Sequence, residues 1–219
     1  MLSKIKISPS IIASDYKNRE HLIATLKELE DSPASFVHLD VMDGKFVKDV
    51  TFDEKLVEFV KNNTTLLLDV HLMVYRPEEV VEKYLKAGAN IVSFHIESTD
   101  KPEQIAKIIK SYGALAGIAI NPSTPVSKID TLLKTGMFDL VLVMSVEPGK
   151  CGQAFLDGSA EKVALIKRLF KVDVEVDGGI TLETAELARK AGANILVSGS
   201  TIFKAKNKKD MIKKLACGR

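Results

Sequence analysis

The sequence predicts an α/β fold, a single (β/α)8 TIM barrel, on three observations. Eight short runs rich in Val, Ile and Phe alternate with longer amphipathic stretches, the pattern of βα units around a parallel sheet. The intervening stretches open on proline or close on glycine where helices should start and stop. The chain of 219 residues, 46% apolar, can bury one sizeable core, and no linker or low-complexity segment divides it, so one domain over 1–219 is expected.

In order, the runs are 5–10, 35–41, 66–73, 91–97, 115–121, 140–146, 174–180 and 195–203. Each is too short for a typical helix and is enriched in β-branched residues, and most are followed by a helical pattern. Pro77 and Pro102 fall at first turns, and Gly88, Gly113, Gly136 and Gly192 at C-caps before the next run. An internal echo supports the count: Lys86-Ala87-Gly88-Ala89-Asn90-Ile91 recurs as Lys190-Ala191-Gly192-Ala193-Asn194-Ile195, entering the fourth and eighth runs, half a barrel apart. The lysines of 204–214 lie among Met211, Ile212 and Leu215 at helical spacing, which reads as the solvated face of a closing helix. A doubly wound open sheet is the alternative architecture.

Composition excludes several functions. Lys and Arg total 31 against 29 Asp and Glu, and a net charge of +2 gives no global reason to expect nucleic acid or an anionic membrane as partner. No stretch approaches the roughly 20 apolar residues that span a bilayer; even Leu66-Leu67-Leu68 is closed by Asp69. The start, Met1-Leu2-Ser3-Lys4-Ile5-Lys6, lacks the apolar core of a signal peptide. Cys151 and Cys217 are too few and too far apart for a disulfide framework. A soluble cytoplasmic protein is expected.

Side chains two apart on a strand share a face, so His38 and Asp40 point together while Val37, Leu39 and Val41 take the other side. The third run repeats the device with Asp69 and His71, and the seventh with Glu175 and Asp177. Buried imidazoles and carboxylates are costly unless paired or bound to metal, so three strands aiming them at one centre build a site rather than a core. Active sites of such barrels lie at the carboxyl ends of the strands, and His38, Asp40, His71 and Asp177 are near such ends. Two nitrogens and two oxygens suit Zn²⁺ best, with Fe²⁺, Mn²⁺ or Co²⁺ as alternatives, whereas Mg²⁺ and Ca²⁺ prefer oxygen shells. A glycine-bearing turn follows the sixth run, Gly149-Lys150-Cys151-Gly152, and two more fall toward the ends of the seventh and eighth, Gly178-Gly179 and Gly199-Ser200. Glycines let backbone N–H groups converge on an anion, and the loops after strands seven and eight are the habitual phosphate grip of these barrels.

These residues carry a resemblance to the ribulose-phosphate 3-epimerase family. The matching segments are Ile7-Ser8-Pro9-Ser10-Ile11, His38-Leu39-Asp40-Val41-Met42-Asp43-Gly44-Lys45-Phe46-Val47, Asp69-Val70-His71-Leu72-Met73, Asn121-Pro122-Ser123-Thr124-Pro125, Val143-Met144-Ser145-Val146 with Pro148-Gly149, Val176-Asp177-Gly178-Gly179-Ile180 and Gly199-Ser200-Thr201-Ile202-Phe203. The resemblance implies that His38, Asp40, His71 and Asp177 hold the metal and that Asp40 and Asp177 are the acid/base pair. Ser10, His71 and Asp177 would contact the sugar. Backbone at Gly149, Lys150, Cys151, Gly152, Gly178, Gly179, Gly199 and Ser200 would hold the phosphate, and Met42, Met73 and Met144 would line the site. It also implies a homo-oligomer and the interconversion of ribulose 5-phosphate and xylulose 5-phosphate.

Two departures stand out. The family usually continues Phe-Val-Pro-Asn where this chain has Phe46-Val47-Lys48-Asp49, and its phosphate turn usually reads Gly-Phe-Gly-Gly where this chain has Gly149-Lys150-Cys151-Gly152. Three other readings compete: a 3-epimerase of a hexulose phosphate such as allulose 6-phosphate, a barrel that cleaves or decarboxylates sugar phosphates, and a non-catalytic sugar-phosphate binder. The second needs an Asp-x-Lys-x-x-Asp array on the third strand, which here has no lysine. The third has no need of both Asp40 and Asp177.

Overall fold

The computed structural model describes residues 5–150 and 152–218. Eight parallel strands, β1 (Lys6–Pro9), β2 (Phe36–Met42), β3 (Leu67–Met73), β4 (Ile91–His95), β5 (Leu115–Ile120), β6 (Leu140–Met144), β7 (Asp173–Asp177) and β8 (Ile195–Ser198), pair in the order β1-β8-β7-β6-β5-β4-β3-β2. Between β1 and β2 the sheet closes through a parallel bridge from Ser10 to His38 and a 2.9 Å bond from the Ser35 N–H to the Ile7 carbonyl. The result is a (β/α)8 TIM barrel.

Nine helices follow in sequence among the described residues: α1 (Arg19–Glu30), α2 (Glu54–Asn62), α3 (Val81–Lys86), α4 (Pro102–Ser111), α5 (Asp130–Lys134), α6 (Gly158–Leu169), α7 (Leu182–Ala191), α8 (Ser200–Phe203) and α9 (Lys208–Cys217). Side chains of Asn18, Asp53, Thr181 and Asn207 accept from the first-turn N–H groups of α1, α2, α7 and α9. Each such cap stabilises its helix by about 1 kcal/mol. Pro102 occupies the first turn of α4, whereas Pro77 opens a 3₁₀ turn, Pro77–Glu79, ahead of α3. Gly88, Gly113, Gly136 and Gly192 all have positive φ, so the backbone reverses there without a Cβ penalty. The lysines of α9 project from a helix that buries Ile212 and Leu215.

The internal echo is structural. Asn90 and Asn194 each extend the ladder of the preceding strand, the Asn90 side chain accepting from Leu68 N–H at 2.9 Å and the Asn194 side chain from Val174 N–H at 2.9 Å. Both backbones complete the pair by donating to the same residues' carbonyls. A Cβ at Gly88 would strike Lys61, and one at Gly192 would crowd Lys167, so the two glycines admit equivalent lysines of α2 and α6.

Inside the barrel, Phe36, Ile91, Leu140 and Ile195 from β2, β4, β6 and β8 pack as one layer, the alternating-strand packing of this fold. Each fully buried side chain of this size contributes about 1.5–3 kcal/mol. Above that apolar floor the interior turns polar, with Ser8, His38, Asp69 and Glu175 fully buried. The outer faces of the strands, such as Val37, Leu39, Val70 and Leu72, join the helices in the main core.

Four runs end at least two residues sooner than the sequence suggests, the sixth run among them, at Met144. The fourth strand stops at His95, and Ile96–Ser98 forms a 3₁₀ turn. The seventh stops at Asp177 because Gly178 and Gly179 take φ of +112° and +59°, outside strand geometry. The run 195–203 divides at Gly199 into β8 and α8. Apolar periodicity alone does not distinguish such a short helix from a continued strand.

Candidate active site

The alternation of β2 and β3 places His38, Asp40 and His71 inside the barrel at its carboxyl end, and β7 adds Asp177. One ligand atom from each of these four lies within 4.8 Å of the others. His38 Nε2 is 3.3 Å and His71 Nδ1 is 3.3 Å from the same oxygen, Asp40 Oδ1. Asp177 Oδ2 stands 3.9 Å from His38 Nε2 and 3.7 Å from His71 Nδ1. Ser10, from the turn after β1, donates its hydroxyl to Asp40 Oδ2 at 2.5 Å.

The two carboxyl groups differ in electrostatics. Burial works against an ionised Asp40, but His38 and His71 outweigh it and hold its pKa far below the ordinary range. Burial and the charge of Asp40 push Asp177 up to about 7. Burial likewise opposes a charged His38, yet the carboxylates of Asp69 and Asp40 hold its pKa well above the usual value. Burial depresses His71.

A layer deeper, Asp69 Oδ2 receives His38 Nδ1 at 2.7 Å and the Ser8 hydroxyl at 2.8 Å. Burial and the neighbouring Asp69 charge push the Glu175 carboxyl's pKa well above the ordinary range. The His38 ring is thus pinned through Nδ1, leaving Nε2 toward Asp40 and Asp177.

The loop after β2 folds back over this centre. Asp43 Oδ1 accepts from the N–H groups of Lys45 and Phe46, its Oδ2 accepts from Tyr75 N–H, and an antiparallel bridge joins Asp43 to Val50. Lys48-Asp49 are accommodated in that turn, where Gly44 N–H reaches the Asp49 carbonyl at 3.0 Å. Phe46 lies over the His95 ring, centroids 4.8 Å apart. Val47 packs against Gly149, where a Cβ would lie 2.9 Å from the valine Cβ.

A pocket opens beside the four polar residues. Ser10, Asp40 and Asp177 line one part of it, Met42, Met73 and Met144 another, and the glycine turns a third: Gly149, Lys150, Gly152, Gly178, Gly179, Gly199 and Ser200. The Ser145 hydroxyl lies within hydrogen-bond reach of the Asp177 and Gly178 carbonyls, fixing the turn after β7. The structure therefore gathers the sequence-assigned residues at one mouth, His38 and His71 buried just behind the pocket wall. Cys151 lies outside the described residues.

Sequence reasoning missed His95 and Glu97. His95 Nε2 meets His71 Nε2 at 2.8 Å, and His95 Nδ1 meets Glu97 Oε2 at 3.3 Å. Burial brings His95 down to about 4. The available signal was the alternation Ser93, His95 opposite Val92 and Phe94 on β4, the device already noted on β2 and β3.

The barrel and the buried His/Asp cluster at its carboxyl mouth define a TIM-barrel enzyme whose donor set is compatible with a metal ion. Residues 6–203 match the model of the ribulose-phosphate 3 epimerase family. The chain is 41% identical to the chloroplastic ribulose-5-phosphate-3-epimerase of Arabidopsis thaliana, covering 96% of this chain and 76% of that protein. It is 39% identical to the ribulose-phosphate 3-epimerase of Bacillus subtilis, covering 96% and 98% respectively. Among solved structures, a mutant tryptophan synthase alpha-subunit from Pyrococcus furiosus superposes with a TM-score of 0.67 at 16% identity over 97% of this chain and 96% of that one. A 3-hexulose-6-phosphate synthase gives 0.66 at 18% over 98% and 99%. These two share the fold. The chain belongs to the ribulose-phosphate 3-epimerase family and is an isomerase of the epimerase class. No helix among the described residues is long and apolar enough to cross a membrane.

Proposed function

We propose that this chain interconverts D-ribulose 5-phosphate and D-xylulose 5-phosphate by passing a proton between C3 and two carboxyl groups, Asp40 and Asp177. The observation that carries this reading is their convergence from β2 and β7 on the same two imidazole nitrogens, His38 Nε2 and His71 Nδ1, with both carboxyl groups lining the pocket. Inverting a carbon beside a ketone requires a proton to leave one face and another to arrive at the opposite face, which needs both groups.

The ionised carboxyl accepts the C3 proton, the electron pair left behind delocalises onto the ketone as an enediolate, and the protonated carboxyl returns a proton to the other face. In the reverse reaction the two exchange roles. Ser10 donates to Asp40 and so holds that carboxylate in place. His38, Asp40, His71 and Asp177 fit a divalent ion, offering two imidazole nitrogens and two carboxylate oxygens within 4.8 Å. Zn²⁺ suits that set best, with Fe²⁺, Mn²⁺ or Co²⁺ as alternatives. When bound, such an ion supplies Lewis-acid stabilisation of the enediolate charge, worth several kcal/mol. Gly149, Gly152, Gly178 and Gly179 all have positive φ at the pocket, a backbone that can turn N–H groups toward a phosphate, and Gly199 and Ser200 line the same pocket. The methionines supply an adaptable apolar wall for the sugar carbons.

The test is turnover of the purified protein on D-ribulose 5-phosphate and on allulose 6-phosphate in deuterated solvent. The reading requires faster turnover of the pentulose, with solvent label appearing at C3. Preference for the hexulose would overturn the substrate assignment and leave the chemistry; inactivity on both would overturn the whole.

A further inference from the structure

We propose that His95 and Glu97 are positioning residues that fix the tautomer of His71, so that its Nδ1 keeps a lone pair for the metal and its Nε2 carries the proton. This rests on reading His71 as a metal ligand.

Matching donors to acceptors places each proton. His71 Nδ1 faces Asp40 and Asp177, and its Nε2 faces His95 Nε2 at 2.8 Å. Two imidazole nitrogens at that distance share one hydrogen, so one donates and the other accepts. A ligating nitrogen has no proton; with Nδ1 on the ion, His71 Nε2–H must donate and His95 Nε2 must accept. The proton of His95 then sits on Nδ1, 3.3 Å from Glu97 Oε2.

What decides the direction of this chain is the far end. Glu97 Oε1 accepts from the Asn121 backbone N–H at 2.8 Å and from the Thr124 hydroxyl. That backbone donor cannot reverse. Lys162, from α6, locks the same turn by donating to the carbonyls of Asn121, Pro122 and Thr124 at 3.0, 2.5 and 2.6 Å. The Asn121-Pro122-Ser123-Thr124 segment thereby gains a purpose: it orients a carboxylate whose free oxygen can only accept from His95. Phe46 covers the His95 ring, and His95 is fully buried, so water does not supply a substitute partner. His38 needs no such relay, because Asp69 holds its Nδ1 directly.

Glu97→Gln is the discriminating change because it is isosteric. Asn121 N–H claims the amide oxygen, so the amide nitrogen faces His95 Nδ1 and donates to it. The whole chain then reverses: His95 Nε2–H donates to His71, and the His71 proton moves to Nδ1, where it blocks the metal. His95→Gln should be milder, since a side-chain amide can accept from His71 and donate to Glu97 in the original sense.

The experiment measures Co²⁺ and Zn²⁺ affinity by chelator competition, the visible spectrum of the Co²⁺-loaded protein, and the ring ¹⁵N–¹H signals of the Zn²⁺-loaded wild type. The expected result is a roughly 10- to 100-fold loss of affinity in Glu97→Gln with an altered Co²⁺ spectrum, and a smaller loss in His95→Gln. The wild-type spectrum should show His71 protonated at Nε2 and His95 at Nδ1, a measurement that no misfolded variant can compromise. Unchanged affinity and spectrum in Glu97→Gln, or a His71 proton on Nδ1 in the loaded wild type, would overturn the relay alone. Failure of the wild type to bind either ion would overturn the metal reading and the relay together.

Discussion

Asp40 and Asp177 approach the same two imidazole nitrogens, yet one is held ionised and the other at a pKa of about 7. The difference lies in reach: Asp40 has both histidines at 3.3 Å and the Ser10 hydroxyl at 2.5 Å, whereas Asp177 stands at 3.7 and 3.9 Å with the Asp40 charge beside it. Asp40→Asn and Asp177→Asn should each lower kcat by at least about 10²-fold while the protein stays folded. Metal content and C3 deuterium exchange, measured together, separate the two roles. A variant that keeps its metal and exchanges without inverting has lost only the proton donor, and near-wild-type inversion in either variant would refute the two-carboxyl scheme.

Removal of bound metal with a chelator should abolish epimerisation, and Zn²⁺, Fe²⁺, Mn²⁺ or Co²⁺ should restore it, because the two nitrogens and two oxygens gathered within 4.8 Å are a borderline-metal donor set. Full activity in a sample shown by elemental analysis to be metal-free would contradict this.

Gly179→Ala should raise KM for the sugar phosphate more than it lowers kcat. Gly179 has φ +59°, and a Cβ there would lie 2.5 Å from the Phe155 backbone nitrogen, so the turn after β7 must move. A non-glycine residue in that conformation also costs about 1–3 kcal/mol. Steady-state kinetics at fixed metal concentration decide it: an unchanged KM would remove this turn from the phosphate grip.

Asn194→Ala should destabilise the barrel without touching catalysis. The Asn194 side chain accepts from Val174 N–H at 2.9 Å and from Lys167 at 3.0 Å, and its loss leaves a strand donor unpaired. The cost should be about 1–3 kcal/mol. Asn90→Ala, which exposes Leu68 N–H to the same loss, should behave alike. Urea denaturation measures both, and a stability within error of wild type in either variant would argue against the equivalence of the two asparagines.

Glu97 should make stability depend on pH in the acid range. Burial opposes its ionised form, but bonds from His95, Thr124 and the Asn121 backbone outweigh it and lower the pKa from 4.5 to about 2. A lowered folded-state value means stability present above the unfolded pKa and lost as pH falls through the folded one. The stability difference between wild type and Glu97→Gln in the metal-free protein should therefore hold above about pH 4.5 and shrink toward pH 2. A difference that is flat with pH across that range would show that Glu97 is not held ionised by these bonds.

The sequence by itself determined the barrel and the faces of its strands. Eight apolar runs, the prolines and glycines between them, and the two-residue period that puts His38 with Asp40, Asp69 with His71 and Glu175 with Asp177 are local properties, set by backbone geometry within each strand or turn. Tertiary structure alone decided which imidazole nitrogen faces the site, why Asp177 differs from Asp40, that His95 backs His71, and that Phe46 and Val47 close over His95 and Gly149. Those depend on distances between β2, β3, β4 and β7, on which loop covers which ring, and on how deeply each charge is buried. Closing the sheet fixes all three at once, and no spacing along the chain encodes them.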